Sequence, residues 1–123
     1  MFDANSILLY VADVPASTAF YERLLDLKPV EASETFAMFI LPSGLGLGLW
    51  GRPGVIPPAN TETGGSELGF KVSADATVDA VHAEWRDKGA RILFSPADVD
   101  FGRTFVAADP DGHRLRVYTV NDM

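Results

Sequence analysis

One order of elements occurs twice in this chain, and that repeat constrains the fold more than any other feature. The stretch "SILLYVADVPASTAFYERLLDL" in the first half predicts an apolar strand, an acidic turn and a helix. The stretch "ELGFKVSADATVDAVHAEWRDKG" in the second half predicts the same order of elements. Three strand-like segments follow each helix, so we expect two β-α-β-β-β modules of about sixty residues each.

Each predicted helix has one apolar face. The residues that recur at helical spacing are Phe20, Leu24 and Leu27 in the first helix, and Val78, Val81 and Trp85 in the second. Gly89 directly follows the second helix and is typical of a helix C-terminus. Both helices are therefore expected to pack against a sheet.

A segment rich in proline, glycine and small polar residues separates the two halves. We interpret about residues 53–65 of "GRPGVIPPANTETGGS" as a linker. The expected organisation is a single domain over residues 1–123, with module one over about 1–52 and module two over about 66–123. Two repeats are too few for a solenoid, so we predict an α+β fold whose modules form a curved mixed sheet around a cleft.

Charge and composition exclude several classes of function. The net charge of −7 disfavours binding to nucleic acid and to anionic lipid surfaces. The chain has no cysteine, which excludes disulfides, thiolate metal sites and cysteine nucleophiles. No apolar run is long enough to span a membrane and no leader pattern opens the sequence, so we expect a cytoplasmic protein that has no membrane partner.

The module order and two motifs, "YVADVPASTAFYERLL" and "DPDGHRLRVY", resemble the vicinal oxygen chelate superfamily, which contains glyoxalases, bleomycin resistance proteins and extradiol dioxygenases. The resemblance covers essentially the whole chain. It implies the glyoxalase/bleomycin resistance fold, which hosts both metal-dependent enzymes and metal-free antibiotic-binding proteins. The run "FGRTF", together with "DPDGH" and a tryptophan that ends the fourth strand, looks most like the metal-free phenazine-resistance type.

The resemblance also implies four metal-ligand positions, one on the first and one on the last strand of each module. In this chain they are occupied by Ser6, Gly48, Glu67 and Arg116. A serine, a glycine and an arginine do not make a divalent-ion site, and a guanidinium would repel the cation. We therefore expect no metal and no cofactor. Glu67 and Arg116 are instead expected to face each other, either as an ion pair that only neutralises the two charges or as groups that meet a polar group of a ligand.

The chain offers few other candidates for catalysis. His82 is predicted to lie at a helix boundary, and His113 to complete the turn that "DPDG" begins. None of the serines lies in a nucleophile elbow or at a recognisable spacing from a histidine. Glu67 is the one acid predicted to point into the cleft, so a metal-free proton transfer would depend on it.

Strand alternation predicts which residues line the cleft. In "SGLGLGLW" the leucines share one face, and two glycines lie beside Trp50 on the other, which suggests a flat slot next to an indole ring. Arg114 is expected nearer the outer rim. The predicted ligand-binding residues are Leu8, Tyr10, Gly46, Gly48, Trp50, Glu67, Phe101, Arg103, Arg116 and Tyr118.

These patterns favour one function over two others. The first hypothesis is metal-independent binding and sequestration of a planar hydrophobic small molecule, such as an antibiotic or toxin, because aromatic walls suit planar ligands. The second is a superfamily enzyme, a lyase, isomerase or dioxygenase, with altered metal ligands or with Glu67 as base. In the third, the cleft serves mainly as a subunit interface. We also expect a homodimer, because the edges of the modules are exposed strands.

Overall fold

A computed structural model describes residues 4–121 of the chain, which divides into two compact units at Gly64 and Gly65. Each unit contains a strand, a helix and three further strands. The elements of the first unit are β1 (Ser6–Val11), α1 (Val14–Leu25), β2 (Glu31–Ala32), β3 (Phe36–Ile40) and β4 (Gly46–Gly51). Those of the second are β5 (Glu67–Lys71), α2 (Asp75–Asp87), β6 (Arg91–Val99), β7 (Gly102–Ala108) and β8 (Arg114–Tyr118).

Each unit forms a four-stranded mixed sheet, and the strands are paired in the same way in both units. The strand order is β1-β4-β3-β2 in the first sheet and β5-β8-β7-β6 in the second. In both, the first strand is parallel to the last, and the remaining neighbours are antiparallel. The predicted α+β fold with two β-α-β-β-β modules is confirmed.

Helix α1 begins and ends at aspartates. The Asp13 side chain accepts a hydrogen bond of 3.0 Å from the Ala16 backbone N–H, which satisfies one of the unpaired donors of the first turn. The helix ends where Asp26 adopts a left-handed conformation with φ of 54°. Leu27 therefore lies beyond the helix, and its predicted place on the helical face was wrong. The apolar side chains that α1 buries are Val14, Phe20, Tyr21 and Leu24.

Of the three residues predicted on the apolar face of α2, Val78 and Trp85 are buried and Val81 is half-buried. The Trp85 ring contacts Phe70 and Phe105 edge to face, with centroids 5.6 and 5.5 Å away. Gly89, with φ of +91°, ends the helical path as expected. The helices have 12 and 13 residues, and none in the described part of the chain is long and apolar enough to cross a membrane.

The strands alternate between a face that packs on the helix of the same unit and a helix-free face. Buried residues on the helix side include Leu9, Val11, Leu47 and Leu49 in the first unit, and Phe105, Ala107, Leu115 and Val117 in the second. The helix-free face of the first sheet has Leu8, Tyr10 and Trp50, and that of the second has Glu67, Arg116 and Tyr118. The predicted alternation of these strands is confirmed.

The segment predicted as a linker follows β4. A short turn of 3₁₀-helix covers Arg52–Gly54. From Val55 to Ser66, all of which the structure describes, the chain contains no helix or strand. The Arg52 guanidinium donates a 2.8 Å hydrogen bond to the Thr61 carbonyl, which closes part of this segment into a loop.

Candidate functional site

Glu67 and Arg116 form an ion pair on the helix-free face of the second sheet. Arg116 Nε donates to Glu67 Oε2 at 2.9 Å, and Nη2 donates to Oε1 at 3.4 Å. Arg116 Nη1 also donates to Thr104 Oγ1 at 3.3 Å. The ion pair that the alternation suggested is present. Because both side chains remain partly exposed, its contribution to stability is about 0–1 kcal/mol.

The residues at the four family metal positions do not fit a divalent ion. In the first unit, Gly48 carries no side chain and Ser6 offers only a neutral hydroxyl. In the second unit, both carboxylate oxygens of Glu67 accept hydrogen bonds from Arg116. A cation there would meet a guanidinium, which supplies no lone pair. Among residues 4–121, no three histidine, aspartate or glutamate side chains come together as metal ligands.

A groove with a volume of about 280 Å³ lies on the helix-free face of the second sheet. We call it the second-unit groove; it is lined by Phe94, Val99, Phe101, Thr104, Val106, Arg114 and Arg116. Its apolar members come from β6, β7 and the turn between them, and its two arginines come from β8. Phe101 and Arg116 were predicted to line the site, and Arg114 to lie at its rim.

Phe101, which lines this groove, also contacts a neighbouring aromatic ring. Phe101 and Tyr118 contact edge to face, with centroids 6.2 Å apart. Tyr118 lies over Gly69, since a Cβ added there would lie 3.2 Å from the Tyr118 ring. The missing side chain of Gly69 therefore makes room for Tyr118. Phe101 keeps 40% of its surface exposed and is available to a ligand.

Sequence reasoning missed most of the apolar lining of this groove. Phe94 is 42% exposed and lines the groove from β6. The pairing of β6 with β7 shifts register between Ile92 and Phe94 and again between Phe94 and Ala97. These irregularities interrupt the period of two, so simple alternation does not predict the face on which Phe94 lies. Val106, in contrast, could have been assigned to the helix-free face from the alternation of residues along β7.

Arg103 lies on the other side of the sheet from the groove, which corrects its predicted place beside the ligand. The register pairs Thr104 with Tyr118, so Arg103 points toward helix α2. Its guanidinium binds Asp79 of α2 and Asp98 of β6, each at 3.0 Å. The hydrogen bond to Asp79 is the main cause that raises the pKa of Arg103 above its usual value, and the hydrogen bond to Asp98 is the second. Arg103 therefore connects α2 to the sheet.

The helix-free face of the first sheet has the predicted residues but not the predicted slot. Leu8 pairs with Gly48, and Tyr10 pairs with Trp50. A Cβ added at Gly48 would lie 2.5 Å from Leu8 Cδ2 and 3.3 Å from the Phe36 ring. Neighbouring side chains thus cover the glycine, and the expected flat slot is filled. Trp50 is half-buried and contacts Phe36 edge to face at 6.3 Å.

The two histidines have structural surroundings, but His82 lies in the middle of α2 and not at a helix boundary, so its predicted position was wrong. The His82 ring contacts Phe105 with centroids 5.3 Å apart. His113 is buried, and its backbone N–H donates to Asp109 Oδ1 at 2.9 Å within the predicted turn. His113 Nδ1 also lies 2.6 Å from Ser66 Oγ, a contact that spacing could not reveal because the residues are 47 positions apart. This bond ties the residue preceding β5 to the turn before β8.

Comparison with known proteins gives this fold a family context. Residues 4–117 match the model of the Glyoxalase/Bleomycin resistance protein/Dioxygenase superfamily. The chain is 32% identical over 116 residues to the phenazine antibiotic resistance protein EhpR from Enterobacter agglomerans. That alignment covers 92% of this chain and 88% of the relative.

Solved structures agree with that match. A protein from Agrobacterium tumefaciens, determined by solution NMR, is 49% identical with a TM-score of 0.88; the match covers 99% of this chain and all of that one. A glyoxalase-related enzyme from Fulvimarina pelagi has a TM-score of 0.84 at 22% identity, covers 97% of this chain and 88% of its own, and supports the fold alone. With its paired β-α-β-β-β units and a family match over nearly its whole length, the chain belongs to the Glyoxalase/Bleomycin resistance protein/Dioxygenase superfamily.

Proposed function

We propose that this protein binds and sequesters a planar, hydrophobic small molecule, an antibiotic or other toxin, without a metal ion. The observation that carries the proposal is the second-unit groove. Its exposed aromatic side chains, Phe94 and Phe101, lie beside polar groups from β7 and β8. A groove of about 280 Å³ lies just below the usual range for ligand sites, which is about 300–1,000 Å³, so it suits only a compact ring system.

The physical reason is the affinity of aromatic side chains for flat apolar ligands. Phe94 and Phe101 are each more than one third exposed, so apolar surface is available to a ligand. Covering apolar surface contributes about 25 cal/mol per Å². Offset or edge-to-face contact between aromatic rings adds about 0.5–1.5 kcal/mol per pair. The similarity to a phenazine antibiotic resistance protein supports a tricyclic aromatic ligand.

Binding without chemistry is supported by the state of Glu67. This carboxylate is the acid that a metal-free proton transfer would require. Both of its oxygens accept hydrogen bonds from Arg116, so it would have to leave its partner to act as a base. A ligand incubated with the protein is therefore expected to be recovered unchanged. Mass spectrometry that found a product, lost in Glu67→Gln, would favour an enzyme instead.

The groove can be tested by calorimetric titration with unsubstituted phenazine. We expect saturable binding to the wild-type protein and about tenfold weaker binding to Phe101→Ala, a loss of about 1.4 kcal/mol. The matched control is Ile56→Ala, which removes an apolar side chain that is 82% exposed in the first unit. The control should bind like the wild type. Absence of saturable binding, or equal affinities for Phe101→Ala and Ile56→Ala, would contradict the proposal.

Trp50 provides a second test, on the helix-free face of the first sheet. If phenazine binds on this face of the first sheet, Trp50→Ala should weaken its binding at least about tenfold in the same titration. Trp85 is buried in the second unit and remains as a fluorescent reporter of folding in that variant. An unchanged affinity would show that phenazine does not depend on Trp50 for binding, and it would not affect the proposal for the second-unit groove.

A further inference from the structure

We propose that the second-unit groove selects planar aromatic ligands that carry a carboxylate, and that Arg91 and Arg114 recognise this group. The inference rests on the proposed function and specifies its ligand class. It depends on three observations: the position of these arginines on the sheet, their lack of partners, and the apolar surface beside them.

The register of the sheet brings the two arginines to one place. Arg91 on β6 pairs with Ala108 on β7, and Ala108 pairs in turn with Arg114 on β8. Residues directly opposite each other on neighbouring strands share a face, so both arginines lie on the helix-free face. Their Cα atoms are two strand spacings apart, about 10 Å. The residue between them is Ala108, so no third charged side chain separates the two arginines on this face.

These two guanidiniums differ from the other arginines of the second sheet. Arg116 is neutralised by Glu67, and Arg103 by Asp79 and Asp98. Within residues 4–121, neither Arg91 nor Arg114 has an ion-pair or hydrogen-bond partner for its side chain. Both are exposed.

The charges on this part of the sheet therefore favour an anion. The acid next to these arginines is Glu67 on β5. Its backbone lies opposite Arg114 on β8, but its carboxylate accepts a hydrogen bond from Arg116. The three arginines of the helix-free face thus exceed this acid by two positive charges. In a chain with a net charge of −7, such a local excess creates a specific electrostatic preference.

The chemistry of the groove then defines the ligand. Arg114 lines the groove together with Phe94 and Val106, so a positive charge adjoins an apolar, aromatic surface. Guanidinium groups bind carboxylates through two parallel hydrogen bonds, which are stronger than neutral ones. A ring packed on the exposed Phe94 side chain would direct a carboxylate substituent toward Arg114 and Arg91. A neutral ring of the same shape would leave both cations unpaired.

Two ligands of nearly equal shape test this proposal. Phenazine-1-carboxylate and phenazine-1-carboxamide differ in charge but share the ring, and calorimetric titration at pH 7 gives the affinity of each. We expect the carboxylate to bind at least about tenfold more tightly, with a preference that shrinks as salt rises. Arg114→Gln should weaken carboxylate binding about tenfold and leave carboxamide binding within about twofold. Arg91→Gln should act in the same direction.

The matched control is Arg86→Gln, which removes the same charge from an exposed position on helix α2. It should change neither affinity, and circular dichroism melts should show that all variants fold. Equal binding of both ligands, or equal effects of Arg114→Gln and Arg86→Gln on the carboxylate, would overturn anion recognition and leave the proposed function standing. If unsubstituted phenazine and both derivatives fail to bind, the proposed function fails, and this inference fails with it.

Discussion

Among individual residues, Gly102 is one where an added side chain would meet the protein backbone. A Cβ there would overlap the Thr119 carbonyl oxygen and lie 2.7 Å from its carbon. These are backbone atoms, which cannot rotate away as a side chain can. We predict that Gly102→Ala lowers the free energy of unfolding by about 2–3 kcal/mol, measured by urea denaturation.

Gly54 offers the matched control for that substitution. A Cβ added at Gly54 would meet no atom within 4 Å. Gly54→Ala should therefore change the free energy of unfolding by no more than about 0.5 kcal/mol. If the two variants unfold at the same urea concentration, the close approach of Gly102 to Thr119 is not a constraint on this fold.

Residues in regular strands could be assigned to a face from the sequence, but what covers them could not. The period of two correctly placed Leu8, Gly48 and Trp50 on one face. The space above Gly48 is nevertheless filled by Leu8 and Phe36, whose side chains lean from neighbouring strands. That outcome depends on contacts between strands that are distant in sequence, which alternation does not describe.

At the scale of elements, the two helices begin differently. Asp13 caps α1 through its carboxylate, whereas Ala74 at the same position of α2 makes no side-chain hydrogen bond. We predict that Asp13→Ala lowers the free energy of unfolding by about 1 kcal/mol. Ala74→Ser should raise it, because Ala74 already has the extended conformation of a capping residue. Urea denaturation measures both effects, and a stabilising Asp13→Ala would contradict this account of the cap.

The sequence predicts that β6 is a strand, but it does not predict which face each of its residues occupies. Its position and direction followed from the repeat, and the structure has it antiparallel to β7. Its two register shifts change which residues face the groove, and they bring Phe94 opposite Val106. Bulges are set by the partner strand as well as by local sequence, so Phe94 could not be assigned to a face by counting.

At the scale of the whole molecule, metal content is the property that most directly separates the binding proposal from the metal-dependent chemistry of the family. After incubation with nickel, manganese, iron(II) or zinc and desalting, we predict less than about 0.1 metal ion per chain, because the ligand set is chemically unsuitable. Mass spectrometry of the metals gives this ratio. A near-stoichiometric ion would show that other residues form a metal site and would make the enzyme hypothesis the leading one.

The sequence determined by itself the repeat, the two β-α-β-β-β units, and the face of each regular strand, because these follow from local periodicity and turn residues. It also indicated the ion pair between Glu67 and Arg116. Packing in three dimensions, in contrast, places the Arg103 guanidinium on Asp79 of α2 and not in the groove. It likewise decided that Arg91 and Arg114 lie on either side of Ala108. These outcomes depend on which strands become neighbours and in what register, and that is set by packing between residues far apart in the chain.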